Sequence, residues 1–202
     1  MRLALPKGRL LDGTLSRLTR AGLAFTFTSD RDYRPTCSNA AVKAKLVKVR
    51  AIPQLVALGN FDLGFCGLDL VREAGYEETI PILDLGSNKV EIVVAVRRGD
   101  EKILEKPPKR PLLIATEYEH LADEWALRHN LAHITIQTWG STEAFAPEDA
   151  DIVFDCMETG RTLDANGLVI IDRIMSSSTW LVANQRSLTT MRAEIDALKG
   201  RL

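Results

Sequence analysis

Strand-like apolar runs alternate with amphipathic helical stretches along nearly the whole chain. That alternation points to an α/β fold with largely parallel sheets. Residues 3–5 read as a first strand closed by Pro6, and Gly8 then opens a helix with Leu11, Leu15 and Leu18 on one face and Gly22 at its end. Residues 45–50 alternate as a strand. Pro53 suits the first position of a short helix that Gly59 ends, and residues 61–65 form a strand running into Cys66 and Gly67. A helix over 68–74 and strands near 79–85 and 90–97 follow. Residues 98–110 are polar and carry Pro107-Pro108, which reads as a loop or boundary. A second series then begins with a strand at 112–115 and a helix capped by Thr116, with Glu119 completing a capping box. Strands at 133–138 and 151–155, a turn at Thr159-Gly160, strands near 168–174 and 179–183 and a terminal helix over 187–199 complete it. Two lobes are expected: lobe I from residues 1–90 plus 176–202, and lobe II from 91–175, with a cleft between them. Ligands of open α/β sheets sit at the carboxyl ends of the strands.

Composition removes several classes. With 202 residues, 46% of them hydrophobic, the chain has ample apolar material for a core, which argues against disorder. No apolar run approaches the roughly 20 residues that span a bilayer, and residues 1–7 are too short an apolar stretch for a secretory signal. Cys37, Cys66 and Cys156 are odd in number and far apart, so neither a disulfide framework nor a CxxC metal site is expected, and a cytoplasmic protein is the default. The net charge of −1 conceals an asymmetry: residues 1–50 hold 11 Lys/Arg against three Asp/Glu. A basic region of this kind suggests an anionic partner, although uneven surface charge gives the same count. A nucleic-acid site needs interleaved aromatics or a known module. Residues 1–50 have only Phe25, Phe27 and Tyr33, so small phosphorylated ligands are the better match.

The segment from Asp151 to Leu168 is the most informative. An apolar strand ends in acidic residues, and a Thr-Gly-x-Thr turn leads into a short helix. Gly160 lets the backbone approach an anion, and the hydroxyls of Thr159 and Thr162 with the amides at the helix start can hold a phosphate. Asp155 and Glu158 just before the loop can accept hydrogen bonds from sugar hydroxyls. Phosphate donors beside sugar acceptors suit a phosphoribosyl group, although an N-capped helix after a strand shows the same pattern. In Leu5-Pro6-Lys7-Gly8-Arg9-Leu10, Lys7 and Arg9 flank a strand-to-helix turn, which suits a polyphosphate. In Phe61-Asp62-Leu63-Gly64-Phe65-Cys66-Gly67-Leu68-Asp69, two glycines bracket a strand end, where Gly64 reads as a tight turn.

Together these segments resemble the ATP phosphoribosyltransferase family. The resemblance rests on Leu5-Pro6-Lys7-Gly8-Arg9-Leu10, Ile52-Pro53, Asp62-Leu63-Gly64 with Gly67 and Asp69, Ile114-Ala115-Thr116, and Glu158-Thr159-Gly160-Arg161-Thr162-Leu163 with Asn166-Gly167-Leu168. It implies a two-lobed fold similar to type II periplasmic binding proteins. It also implies ATP and 5-phosphoribosyl 1-diphosphate (PRPP) as substrates. Mg2+ would be carried mainly by the substrate, without a dedicated set of protein ligands. Thr159, Gly160, Arg161 and Thr162 would grip the 5-phosphate of PRPP. Asp155 and Glu158 would hold the ribose hydroxyls, with Lys7 as a third catalytic candidate. Lys7, Arg9, Arg50, Gly67 and Asp69 would serve ATP and its polyphosphate. The chain stops at Leu202 after the terminal helix, so it is similar to the family's short form, which lacks the C-terminal regulatory domain. That form implies a homodimer working with a histidyl-tRNA-synthetase-like partner, with neither nucleic acid nor membrane involved. Two departures stand out: Leu68 occupies a position where the family often has Lys, and the family's Gly-Ser-Val-Glu stretch appears as Gly140-Ser141-Thr142-Glu143 with one extra residue before Pro147. The alternative from another class is a non-catalytic two-lobed module that binds a small ligand.

Overall fold

In the computed structural model, which describes residues 1–202, the chain divides into two units. The first comprises Met1–Asn88 and Ser178–Leu202, the second Lys89–Ser177. The first unit opens with β1 (Arg2–Lys7) and α1 (Leu11–Arg20), whose last turn carries Arg17 and Arg20, favourable at a helix C-terminus. A small hairpin of β2 (Phe25–Thr26) and β3 (Thr36–Cys37) follows. Then come β4 (Lys43–Lys48), a 3-10 turn (Val49–Ala51) and α2 (Ile52–Ala57), with Pro53 in the first turn. β5 (Leu63–Gly67), α3 (Leu68–Ala74) and β6 (Thr79–Asp84) complete this pass, and Gly75 ends α3 in the left-handed region at φ 65°.

The second unit contains β7 (Val90–Arg97), β8 (Leu112–Thr116), α4 (Glu119–Arg128) and β9 (His133–Gln137). A 3-10 turn (Thr142–Phe145) leads to β10 (Ile152–Met157), α5 (Arg161–Ala165) and β11 (Leu168–Ser177). The chain then returns to the first unit as β12 (Thr179–Asn184), α6 (Gln185–Thr190) and α7 (Arg192–Lys199).

Each unit is built on one five-stranded sheet, ordered β4-β1-β5-β12-β6 in the first and β11-β7-β10-β8-β9 in the second. In each, four strands run the same way and one, β12 or β7, runs against them. Helices cover both faces of the first sheet, as parallel strands require. Leu3, Leu5, Leu63 and Phe65 pack with Leu18 of α1 and Ile195 and Leu198 of α7, while Ala4, Cys66 and Val182 pack with Ile52 and Val56 of α2. In the second sheet Val93, Ala95 and Val153 pack with Leu163 of α5. Trp125 of α4 lies against Phe154, with ring centroids 6.3 Å apart.

Several local expectations change. Pro6 does not close the first strand; it sits inside β1 opposite Val47. The ladder between β1 and β5 ends at Ala4, so the missing proline N–H falls where there is no partner on that side. Thr116 does not cap α4. It ends β8, and its hydroxyl accepts the Tyr118 N–H at 2.7 Å. Residues 98–110 are a loop within the second unit, between β7 and β8, whereas the chain passes between units at 88–89 and 177–178. The terminal helix is two helices, broken at Met191. The β2–β3 hairpin had no clear signal, because each of its strands is only two residues long.

Candidate functional site

In the second unit, Asp155 lies near the end of β10 and shares a face with Val153 and, across the ladder, Val93. The chain leaves β10 at Met157 and turns at Gly160, which has φ 77°, before α5 begins at Arg161. Glycine is suited there because a Cβ would face strain at that φ and would sit 3.1 Å from Met157 Sδ. The turn closes around a cavity of about 370 Å³ lined by Glu143, Asp155 and residues 156–163. Thr159 and Thr162 are exposed on it, and the Arg161 Nε–H donates to Thr159 Oγ1 at 3.4 Å. Asp155, Glu158, Thr159, Gly160, Arg161 and Thr162 therefore line one cavity.

The electrostatics single out Asp155. Burial pushes its carboxyl up to about 6, with the nearby charges of Glu117 and Glu143 adding to the rise. Hydrogen bonds from the Cys156 N–H, 2.7 Å from Oδ1, and from the Thr142 hydroxyl oppose it. Glu117 and Thr142 were not singled out from the sequence. They reach Asp155 only because β8 pairs with β10 and the 142–145 turn packs on them, a long-range arrangement with no local signature.

The remaining candidates belong to the first unit. Lys7, Lys48 and Gly67 end the parallel strands β1, β4 and β5, so Lys7, Arg9, Arg50, Gly67 and Asp69 all follow the carboxyl edge of that sheet. Lys7 Nζ donates to Tyr33 Oη at 3.2 Å and stands 4.8 Å from the ring centroid, a cation–π contact that orients the ammonium. Gly67 and Asp69 meet each other: a Cβ on Gly67 would stand 2.1 Å from Asp69 Oδ1. Asp69 is buried, and burial of the Cys66 thiol, with the charge of Asp69 adding to it, pushes that thiol up. Gly64 is not a tight turn. It lies within β5, and a Cβ there would come 2.5 Å from Ile52 Cγ2, so it permits α2 to approach the strand. Leu68 begins α3, and Glu143 lies in the 3-10 turn at the cavity wall. No helix is long and apolar enough to cross a membrane.

Comparison with known proteins agrees with this picture. The family model for ATP phosphoribosyltransferase (HisG) matches residues 48–202. An ATP phosphoribosyltransferase of Koribacter versatilis is 34% identical over 188 residues, covering 91% of this chain and 64% of the relative. One from Chlorobaculum parvum is 32% identical over 196 residues, covering 93% and 64%. The chain thus spans just under two thirds of the length of these curated relatives. Among solved structures, a chain of the ATP phosphoribosyl transferase (HisG:HisZ) complex from Thermotoga maritima superposes with a TM-score of 0.86 at 26% identity, covering 100% of this chain and 98% of that one. The alkanesulfonate-binding protein SsuA of Xanthomonas axonopodis pv. citri, bound to MOPS, superposes with a TM-score of 0.51 at 11% identity, covering 100% of this chain and 72% of that one, a likeness of fold.

Proposed function

The chain belongs to the ATP phosphoribosyltransferase family, and from that membership we propose that it transfers the phosphoribosyl group of PRPP to N1 of ATP. The products are N1-(5-phospho-β-D-ribosyl)-ATP and pyrophosphate, the first step of histidine biosynthesis in the cytoplasm. The observation that carries the reading is the single cavity in which a half-buried carboxylate, Asp155, adjoins a glycine-turned loop bearing Thr159, Arg161 and Thr162. That pairing of sugar-hydroxyl acceptor and phosphate donors suits a 5-phosphoribosyl group.

The adenine N1 lone pair attacks C1 of the ribose, the C1–O bond to the diphosphate breaks, and pyrophosphate carries away the electron pair. N1 has no proton to lose, so no general base is required. Thr159, Gly160, Arg161 and Thr162 hold the 5-phosphate. Asp155, with Glu158, holds the ribose hydroxyls and favours the positive charge that develops on the sugar. With its carboxyl at about 6, Asp155 is mainly ionised above neutrality. Lys7, Arg9 and Arg50 serve the polyphosphate of ATP, with Gly67 and Asp69 beside them. Mg2+ arrives with the diphosphate as part of the substrate. We further propose a homodimer that assembles with a HisZ-like, histidyl-tRNA-synthetase-related subunit; the likeness to the Thermotoga chain, which comes from a HisG:HisZ complex, supports a partner of the HisZ kind. A non-catalytic binding module is less well supported, because the family match spans most of the chain.

The test is direct. The chain is incubated with ATP, PRPP and Mg2+, and pyrophosphate is measured beside mass spectrometry of the nucleotide. Equimolar pyrophosphate and phosphoribosyl-ATP are expected. Pyrophosphate release that does not depend on ATP, with no adduct, contradicts the transfer.

A further inference from the structure

Lys7, Arg9 and Arg50 are three of the 11 Lys/Arg in residues 1–50, and four others gather at the opposite end of the first sheet. Arg2, Arg34, Lys43 and Lys45 line a cavity of about 480 Å³ between the β2–β3 hairpin and the edge strand β4. Arg2 and Lys7 are the two ends of β1, so at a rise of about 3.3 Å per residue they stand roughly 16 Å apart. Arg2 is the register partner of Lys43, and Lys45 follows two residues on, so the three share one face of the sheet. No Asp or Glu lines the cavity. Asp62 neutralises Arg2 alone, accepting from its Nη2 at 2.7 Å. Asp32, two residues before Arg34, is turned into its own loop, where it accepts the Thr28 and Arg34 N–H groups at 3.0 and 2.9 Å. Arg34, Lys43 and Lys45 therefore carry three charges that no ion pair offsets, on one cavity, where like charges repel. Beneath them the wall is apolar, with Pro35, Cys37, Val42 and Phe61 all buried.

The backbone adds a donor and limits what can enter. The Lys43 N–H donates to the Met1 carbonyl at 2.9 Å, so odd-numbered residues of β4 bond to β1 and even-numbered ones face away from it. Of these, the Leu46 N–H is taken by the Tyr33 carbonyl at 2.9 Å, and just before the strand the Val42 N–H is taken by the Asn39 carbonyl at 3.0 Å. Ala44 lies between them and lines the cavity, its N–H directed away from β1. One open residue is too little edge for an added peptide strand, which needs successive backbone bonds. The volume instead falls in the range of small-ligand sites. We propose that this cavity is a second binding site, for a small organic anion: an aromatic or aliphatic body on the apolar wall, and a phosphate or carboxylate group among Arg34, Lys43, Lys45 and the Ala44 amide. The site is separate from the strand ends assigned to ATP and from the loop assigned to PRPP, and does not depend on either assignment.

The experiment titrates 1-naphthyl phosphate into the nitrogen-15-labelled full chain at about pH 7.5, with inorganic phosphate and 1-naphthol as the two half-probes. Amide shifts locate the binding. Saturable shifts of the Cys37, Ala44 and Lys45 amides are expected, with affinity at least about tenfold above that of either half-probe, because charge and apolar body each contribute. The double variant Lys43→Gln, Lys45→Gln should weaken that binding roughly five- to thirtyfold, the effect of two partly exposed ion pairs. Ala40→Glu, which sets a carboxylate on the exposed rim and removes no contact, should weaken it as well. Shifts confined to the PRPP loop or to the strand ends near Lys7 overturn the second site. Equal affinity for inorganic phosphate, or affinity unchanged in both variants with their melts intact, overturns the proposed ligand. A hexaglutamate peptide that shifts the same amides at lower concentration than naphthyl phosphate overturns the small-ligand reading in favour of an acidic protein segment.

Discussion

Asp155 is held in the free protein at a disadvantage. An ordinary aspartate titrates near 3.9, so a folded-state value of about 6 means that the folded chain binds the proton more tightly than the unfolded one. Stability from this group is fully present below about pH 4, is lost as pH rises through about 6, and stays lost above it, with a ceiling of about 3 kcal/mol. Asp155→Asn removes that loss. The variant is expected to melt higher than the parent at pH 7.5 and with it at pH 4, while turnover falls more than PRPP affinity, because the charge is most useful in the transition state. Melting curves at both pH values beside steady-state kinetics check this. Lower stability at both pH values with unchanged turnover per folded molecule would make Asp155 a structural support instead. The loop from Glu158 to Thr162 was legible in the sequence, since a glycine between hydroxyl residues after an acidic strand end is a local signal. Glu117, Thr142 and Tyr33 were not, because each acquires its neighbour only through tertiary packing.

The elements themselves were readable wherever the pattern was strong. The strand–helix alternation anticipated β5 to α3 and β6 to β7 closely, because their apolar runs are continuous and bounded by Gly59, Gly67 and Gly75. It failed where a rule depends on neighbours. Pro6 looked like a stop, yet it extends a strand whose partner on one side has already ended. Residues 187–199 looked like one helix, but the chain breaks at Met191, and Asn184 caps the first piece by accepting the Arg186 and Ser187 amides. Gly64 is another position set by a neighbour, joining β5 closely to α2. Gly64→Ala places a methyl 2.5 Å from Ile52 Cγ2 and 3.1 Å from Val56 Cγ2, and overpacking of this sort costs about 1–3 kcal/mol. A lower melting temperature is expected with PRPP affinity unchanged, since the loop proposed to bind PRPP belongs to the other unit. An unaltered melt would show that α2 shifts without penalty.

For the molecule as a whole, regulation and substrate order are the open consequences of the proposed assembly. Coupling requires a second ligand site and two states that it biases. With a HisZ-like subunit supplying that site, the purified chain should run as a dimer in light scattering, with modest activity that histidine barely alters. Adding the partner should raise activity and confer histidine inhibition. Strong inhibition of the chain alone would place the histidine site on this polypeptide. The two substrates should also separate by unit, PRPP depending on the loop of the second and ATP on the cationic strand ends of the first. Thr162→Val tests that division best, because it removes one hydroxyl and keeps the shape of the loop. A hydrogen bond to a charged phosphate contributes about 1.5–3 kcal/mol, which corresponds to roughly a 10- to 150-fold change in affinity. The decisive measurement is titration calorimetry of Mg2+-PRPP and of ATP, each into the parent and into Thr162→Val. PRPP binding weakened by that factor, with ATP binding much less affected, is the expected result; PRPP binding unchanged by the substitution would contradict the assignment of the phosphoribosyl site.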